Sequence, residues 1–209
     1  SMQYMIHSLF PTPIVKTNFN REFTLEELDI VFSEKKGHSV GNSSSNNRRI
    51  LENPAFIEIK KFSQDCLDLW VDKIIAPAYE NSVKLKITQS WLNYTDKKGH
   101  HHLHYHPNSV ISGVIYIQAT EFKDQIEFQN TDINPWHIHT ETSNAFNSNL
   151  YHVPVKTGDV VLFPSTIYHG VPEVQGDKTR ISLAFNSFWV GGIGYSNDET
   201  NYLEIKDIY

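Results

Sequence analysis

The chain has 209 residues, 39% of them hydrophobic and 12% aromatic, with 18 Lys and Arg against 24 Asp and Glu for a formal net charge of −6. That composition suits a globular domain with its own core and excludes a disordered chain. No basic stripe is present for a nucleic-acid partner, no run approaches the roughly 18 apolar residues of a membrane span, and the single cysteine, Cys66, rules out an internal disulfide framework.

The chain opens on Ser1-Met2, which reads as a protease-cleavage scar, and on a short apolar stretch broken by Pro11 and Pro13. The start lacks the charged-then-apolar pattern of a secretory signal, and with one thiol the expected compartment is the reducing cytoplasm. Thr24 ahead of Glu26, Glu27 and Leu28 predicts a capped helix running to about Lys36. The Gly/Ser/Asn tract from Gly41 to Asn47 predicts a surface loop. Asn53-Pro54 then reads as an N-cap with proline at the first helical position. Phe56, Ile59, Phe62, Cys66, Leu69, Trp70 and Ile74 follow at helical spacing and predict a long amphipathic helix bracing a sheet, with Cys66 as a small core residue.

After Asn81 the pattern changes to alternation. Val83, Leu85 and Ile87 start a strand that continues through Trp91 and Asn93. Further strands are predicted over Val110–Gln118, Gln125–Gln129, Leu150–Pro154, Val160–Phe163 and Arg180–Trp189, with turn chemistry at Thr157-Gly158-Asp159 and Gln175-Gly176-Asp177. Residues 131 to 149 are polar and predict a long loop, of a length that is often functional. The expected architecture is mainly β, a jelly-roll (double-stranded β-helix) barrel braced by helices. A single domain is expected, with a helical part over about 1–82, the jelly-roll core over about 83–190 and a tail over 191–209.

Six of the eleven histidines have useful positions: His100, His101, His102, His104 and His106 precede a strand, and His169 follows another. Residues two apart on a strand share a face, so His102, His104 and His106 are expected together. Neutral imidazole suits iron, zinc, copper or nickel. His100 and His101 read more simply as part of a solvated, His-rich loop.

The surrounding residues narrow this choice. His104-Tyr105-His106-Pro107-Asn108-Ser109 is followed by Ser112-Gly113-Val114-Ile115-Tyr116-Ile117, then by Gly158-Asp159 and Leu162-Phe163-Pro164-Ser165, by His169, and by Arg180-Ile181-Ser182. Over roughly residues 90 to 190 this order resembles the 2-oxoglutarate/Fe(II) oxygenase superfamily, and in particular a branch related to the prolyl hydroxylases. The resemblance implies a dioxygenase of hydroxylase type that takes 2-oxoglutarate and O2 to succinate and CO2 while oxidising a protein side chain or a small molecule. It implies Fe(II) held by His104, His106 and His169. It also implies a 2-oxoglutarate pocket made by Arg180, whose guanidinium forks onto the 5-carboxylate, with Ser182 and Tyr116 adding hydroxyls. Asn93, Tyr94 and Asn186 are further candidates for that pocket.

His106 departs from the superfamily pattern, which carries Asp or Glu there. A carboxylate from elsewhere is the alternative third ligand, Glu127 and Asp132 being nearest in sequence. Two other functions stay open: a cupin-like metal dioxygenase that needs no 2-oxoglutarate, and a non-catalytic metal-binding jelly roll. Arg180 discriminates against the first, because it has an obvious purpose only if a dicarboxylate binds.

Overall fold

The computed structural model describes residues 1–34, 36–38, 41–79, 81–132, 135–194 and 200–207. Twelve strands among these residues form two sheets. The larger contains β1 (Val15–Asn18), β2 (Lys36–His38), β3 (Ser43–Ser45), β4 (Lys84–Thr95), β6 (Ile111–Gln118), β9 (Asp159–Pro164) and β11 (Arg180–Ile193), in the order β1-β9-β6-β11-β4-β3-β2, with β12 (Leu203–Ile205) pairing the end of β11. The smaller runs β5-β10-β7-β8, from β5 (His101–His104), β7 (Gln125–Gln129), β8 (Leu150–Pro154) and β10 (Tyr168–Val171). All pairings within these sheets are antiparallel. The two sheets are not joined by a strand pairing among the described residues, so the jelly roll is a sandwich and not a closed barrel.

Strand alternation divides the large sheet into a helix side and an inner side. On β11, Ile181, Leu183 and Phe185 join Ile111, Ile115 and Ile117 of β6, and Val160 and Leu162 of β9, against Phe56, Ile59, Leu67 and Trp70. The opposite faces send Ala184, Val114, Tyr116, Val161 and Phe163 toward Ile126 and Phe128 of the small sheet. This inner layer is the one that Arg180, Ser182 and Asn186 share by parity.

Helix α1 (Leu25–Ser33) begins as its sequence predicts. Thr24 Oγ1 accepts the Glu27 amide at 3.2 Å and Glu27 Oε1 accepts the Thr24 amide at 2.7 Å, a complete capping box. It stops earlier than predicted: Glu34 turns extended, and Lys36 belongs to β2. Helix α2 (Ile57–Trp70) follows a 3-10 turn over Pro54–Phe56 capped by Asn53, and it unwinds into a π turn over Val71–Ile75 that ends at left-handed Ala76. Its buried stripe is Ile59, Ser63, Cys66, Leu67 and Trp70, whereas Leu69 and Ile74 are exposed.

The predicted loop from Gly41 to Asn47 holds a strand instead. β3 pairs with both β2 and β4, and Ser45, fully buried, donates to Asn47 O at 2.9 Å and accepts the Leu92 amide at 2.9 Å. A serine that satisfies its own hydroxyl in this way sits within a sheet where composition alone reads as loop. No helix among the described residues is long and apolar enough to cross a membrane.

Candidate active site

β5 and β10 bring the histidines together. His169 pairs with His104, and Val171 pairs with His101, so an advance of three residues on β5 answers two on β10. That mismatch is a β-bulge. It turns His101 onto the same face as His104, which simple alternation would forbid, and leaves His102 exposed. Gly170 lies opposite the bulge, where a Cβ would sit 2.7 Å from His101 O and 3.1 Å from His102 O. Only glycine lets the strands approach this closely.

The ligand nitrogens of His104, His106 and His169 all lie within 4.8 Å of one another. Each ring has its Nδ1 at an oxygen: His104 at His102 O, 2.7 Å; His169 at Ile167 O, 3.0 Å; His106 at Asn186 Oδ1, 2.7 Å. Backbone carbonyls accept only, so Nδ1 carries the proton in His104 and His169, and Nε2 carries the lone pair.

His106 is held by a buried polar chain. Ser112 Oγ donates to Asn186 Oδ1 at 2.9 Å and stands 2.9 Å from His106 Nδ1, Ser165 Oγ is 2.8 Å from Ser112 Oγ, and Ser109 Oγ is 2.7 Å from Ser165 Oγ. The Ser187 amide donates to Ser109 Oγ at 3.2 Å. One direction of donation satisfies every member, running from Ser187 through the three hydroxyls to Asn186 Oδ1, which also accepts His106 Nδ1–H. His106 Nε2 then faces His104 Nε2 at 3.3 Å. Two lone pairs so close repel unless a cation lies between them. Imidazole nitrogens sharing one ion at about 2.0–2.1 Å stand about 3 Å apart or slightly more, so the donor set fits a metal.

Burial holds these rings neutral, as ligands must be. It pushes His106 down to about 4, against the partial opposition of the Asn186 hydrogen bond. It holds His169 well below the ordinary value, with the charges of His106 and His104 adding to the effect, and it lowers His104. Neither metal-competent cluster among the described residues includes a carboxylate. Glu127 faces outward to His152 Nε2 at 2.8 Å, and Asp132 is exposed in the long loop.

The cluster opens into a cavity of about 420 Å³, part of it continuous with solvent. Its far wall is Arg180, only 3% exposed, with Tyr116, Ser182 and Asn93. The guanidinium carbon lies 5.0 Å from the Tyr116 ring centre. Among the described residues Arg180 has no ion pair, and both its Nε and the Tyr116 hydroxyl are buried without a hydrogen-bond partner. A buried charge with no counter-ion costs several kcal/mol, which an anion in the cavity would offset. Burial raises the Tyr116 phenol, and the Arg180 charge offsets part of that rise.

Two candidates for the pocket lie elsewhere. Tyr94 sits on the helix side of β4, its hydroxyl donating to Val31 O at 2.6 Å and its pKa raised by burial to about 12. Asn186 stands behind His106 and does not line the cavity. His101, read from sequence as loop, does line it. The bulge that places it leaves no signature in residue spacing.

The family described as "Putative 2OG-Fe(II) oxygenase" matches residues 89–186. No curated protein sequence matches the chain. Among solved structures, HygX from Streptomyces hygroscopicus, determined with nickel, 2-oxoglutarate and hygromycin B, superposes with TM-score 0.54 at 16% identity over 84% of this chain and 82% of its own. A Pseudomonas putida prolyl-4-hydroxylase gives 0.54 at 12% identity over 84% and 92%. The epimerase SnoN of nogalamycin biosynthesis, in complex with Fe3+, alpha ketoglutarate and nogalamycin RO, gives 0.59 at 10% over 93% and 90%. At these identities the three share the double-stranded β-helix fold with this chain.

Proposed function

We propose that this chain is a 2-oxoglutarate/Fe(II) oxygenase of hydroxylase type, with iron held by His104, His106 and His169 and 2-oxoglutarate anchored by Arg180, a reading supported by the family match over residues 89–186 and by the imidazole cluster. Iron and 2-oxoglutarate together supply the family's chemistry: O2 is consumed, the oxo acid becomes succinate and CO2, and a C–H bond of the primary substrate is oxidised. The residues of the chain bind and orient. The three Nδ1 hydrogen bonds aim three Nε2 lone pairs at one point, and three ligands on one side leave room opposite for a chelating oxo acid and O2. Arg180 meets the far carboxylate with a bidentate fork, and Tyr116 and Ser182 add hydroxyls.

The observation that carries this reading is the buried Arg180, without an ion pair among the described residues and with its Nε unpartnered, in the same cavity as the imidazole cluster. A cupin-like dioxygenase without 2-oxoglutarate would leave that charge without purpose. The primary substrate we assign to the class of protein side chains or small molecules.

Replacing Arg180 by Ala should weaken 2-oxoglutarate binding by about 1.5–3 kcal/mol, the worth of a charged hydrogen bond, with metal affinity unchanged. Titration of 2-oxoglutarate into metal-loaded protein under anaerobic conditions measures it. Equal affinity in the wild type and R180A would refute the anchor.

A further inference from the structure

We propose that His101 is a fourth working imidazole of this site: it does not ligate the metal, but donates a ring N–H to the metal-end carboxylate of the bound 2-oxo acid. This rests on the reading of the cavity as a 2-oxoglutarate site.

The backbone builds the position deliberately. Without the bulge in β5, His101 would point away from His104; without a side chain at residue 170, the bulge fits against β10. The outcome is an imidazole whose ring centre lies 4.3 Å from that of His104, on the wall of the cavity that ends at Arg180.

It is not placed as a ligand of the same ion. Its nitrogens group with those of His102 and His104, and not with those of His106 and His169. It also differs from the three ligands in its bonding. Each of them has Nδ1 engaged with an oxygen, whereas neither ring nitrogen of His101 makes a hydrogen bond to any described residue. A neutral imidazole always carries one N–H, and with no acceptor on the protein that of His101, on the cavity wall, is available to a bound ligand.

The chemistry of the cavity says which acceptor. Its far end already offers a guanidinium and a phenol for one carboxylate. His101 lies toward the other end, its ring centre 4.3 Å from that of His104. A 2-oxo acid chelating the metal there presents a carboxylate oxygen that the metal does not use, and this oxygen is the acceptor we assign. The arrangement grips both carboxylates of the same molecule, and it gives the oxo-acid end a selectivity that Arg180 cannot supply.

The test uses the full chain loaded anaerobically with iron(II), titrated with 2-oxoglutarate and followed by the visible absorption band of the iron–oxo acid chelate. His101→Leu should weaken 2-oxoglutarate binding about tenfold, as expected for one charged hydrogen bond. It should also shift the band, because the donor touches the chelating end. His101→Gln, which keeps an N–H of similar reach, should recover most of both. Arg180→Ala should weaken binding without moving the band. Iron affinity should be the same in all four proteins. Wild-type protein that fails to bind 2-oxoglutarate would defeat the functional reading itself. Wild-type binding with unchanged affinity in H101L would defeat only the present inference. So would lost affinity with an unmoved band, which would put the donor elsewhere, or lost iron affinity in H101L, which would make His101 a ligand.

Discussion

His106 stands where the superfamily pattern carries an acid, and its neighbours suit an imidazole. Asn186 Oδ1 accepts from Nδ1 at 2.7 Å while Ser112, Ser165 and Ser109 continue the chain behind it. Loss of such an outer partner typically lowers metal affinity 10–100-fold. Asn186→Leu should therefore weaken nickel or iron binding by about 10-fold or more, and Asn186→Asp, a stronger acceptor, should retain it. Metal titration checks both, with thermal melting to confirm the fold, and an Asn186→Leu protein of wild-type affinity would contradict the arrangement. The resemblance over residues 90 to 190 pointed to His104, His106, His169 and Arg180, because short runs of distinctive sequence flank them. It could not separate Asn93 from Tyr94, although strand parity puts neighbours on opposite faces. Leu92 and Tyr94 face the helices; Asn93 faces the cavity.

At the scale of elements, long alternating strands were readable and short ones were not. β7 and β8 have the bounds their sequences predict, and β4, β6, β9 and β11 are close to theirs. β1, β2, β3, β5, β10 and β12 have three or four residues each, too few for a period to show, and β3 is all serine. Two of these short strands, β5 and β10, carry the histidines. Their closeness depends on Gly170, and a methyl group there would press on backbone, which cannot swing aside. Gly170→Ala should cost about 1–3 kcal/mol of stability, the usual penalty of overpacking. It should weaken metal binding as well, since His101 to His104 must shift. Chemical denaturation and metal titration of the variant measure the two effects. A variant with full metal affinity would show that the bulge does not set the cluster.

For the molecule as a whole, the buried imidazoles tie folding to pH. An unfolded histidine protonates near pH 6.5. In the folded protein burial moves this to about 4 for His106 and about 3 for His101, with His104 and His169 also lowered. Between these values the unfolded chain binds more protons than the folded one. Metal-free protein should therefore lose stability as pH falls from about 6.5 toward 4, each fully affected histidine contributing at most about 1.4 kcal/mol per pH unit. Melting temperatures of metal-free protein between pH 8 and 5 test this, and a level profile across that range would overturn it. The same burial delays proton competition for the metal to lower pH than free imidazoles would show.

The two sheets are not joined by strand pairing among the described residues, yet each holds one end of the site. β5 and β10 of the small sheet carry His104 and His169, while β6 and β11 of the large sheet carry Tyr116 and Arg180. With 2-oxoglutarate held as proposed, the gap between the sheets is a ruler laid along the co-substrate. An oxo diacid one methylene shorter leaves its far carboxylate short of Arg180. One methylene longer has to buckle or push the two layers apart. The filled site, in turn, clamps the sandwich across its open edges, so the protein that has its co-substrate is also the one whose halves can least slide.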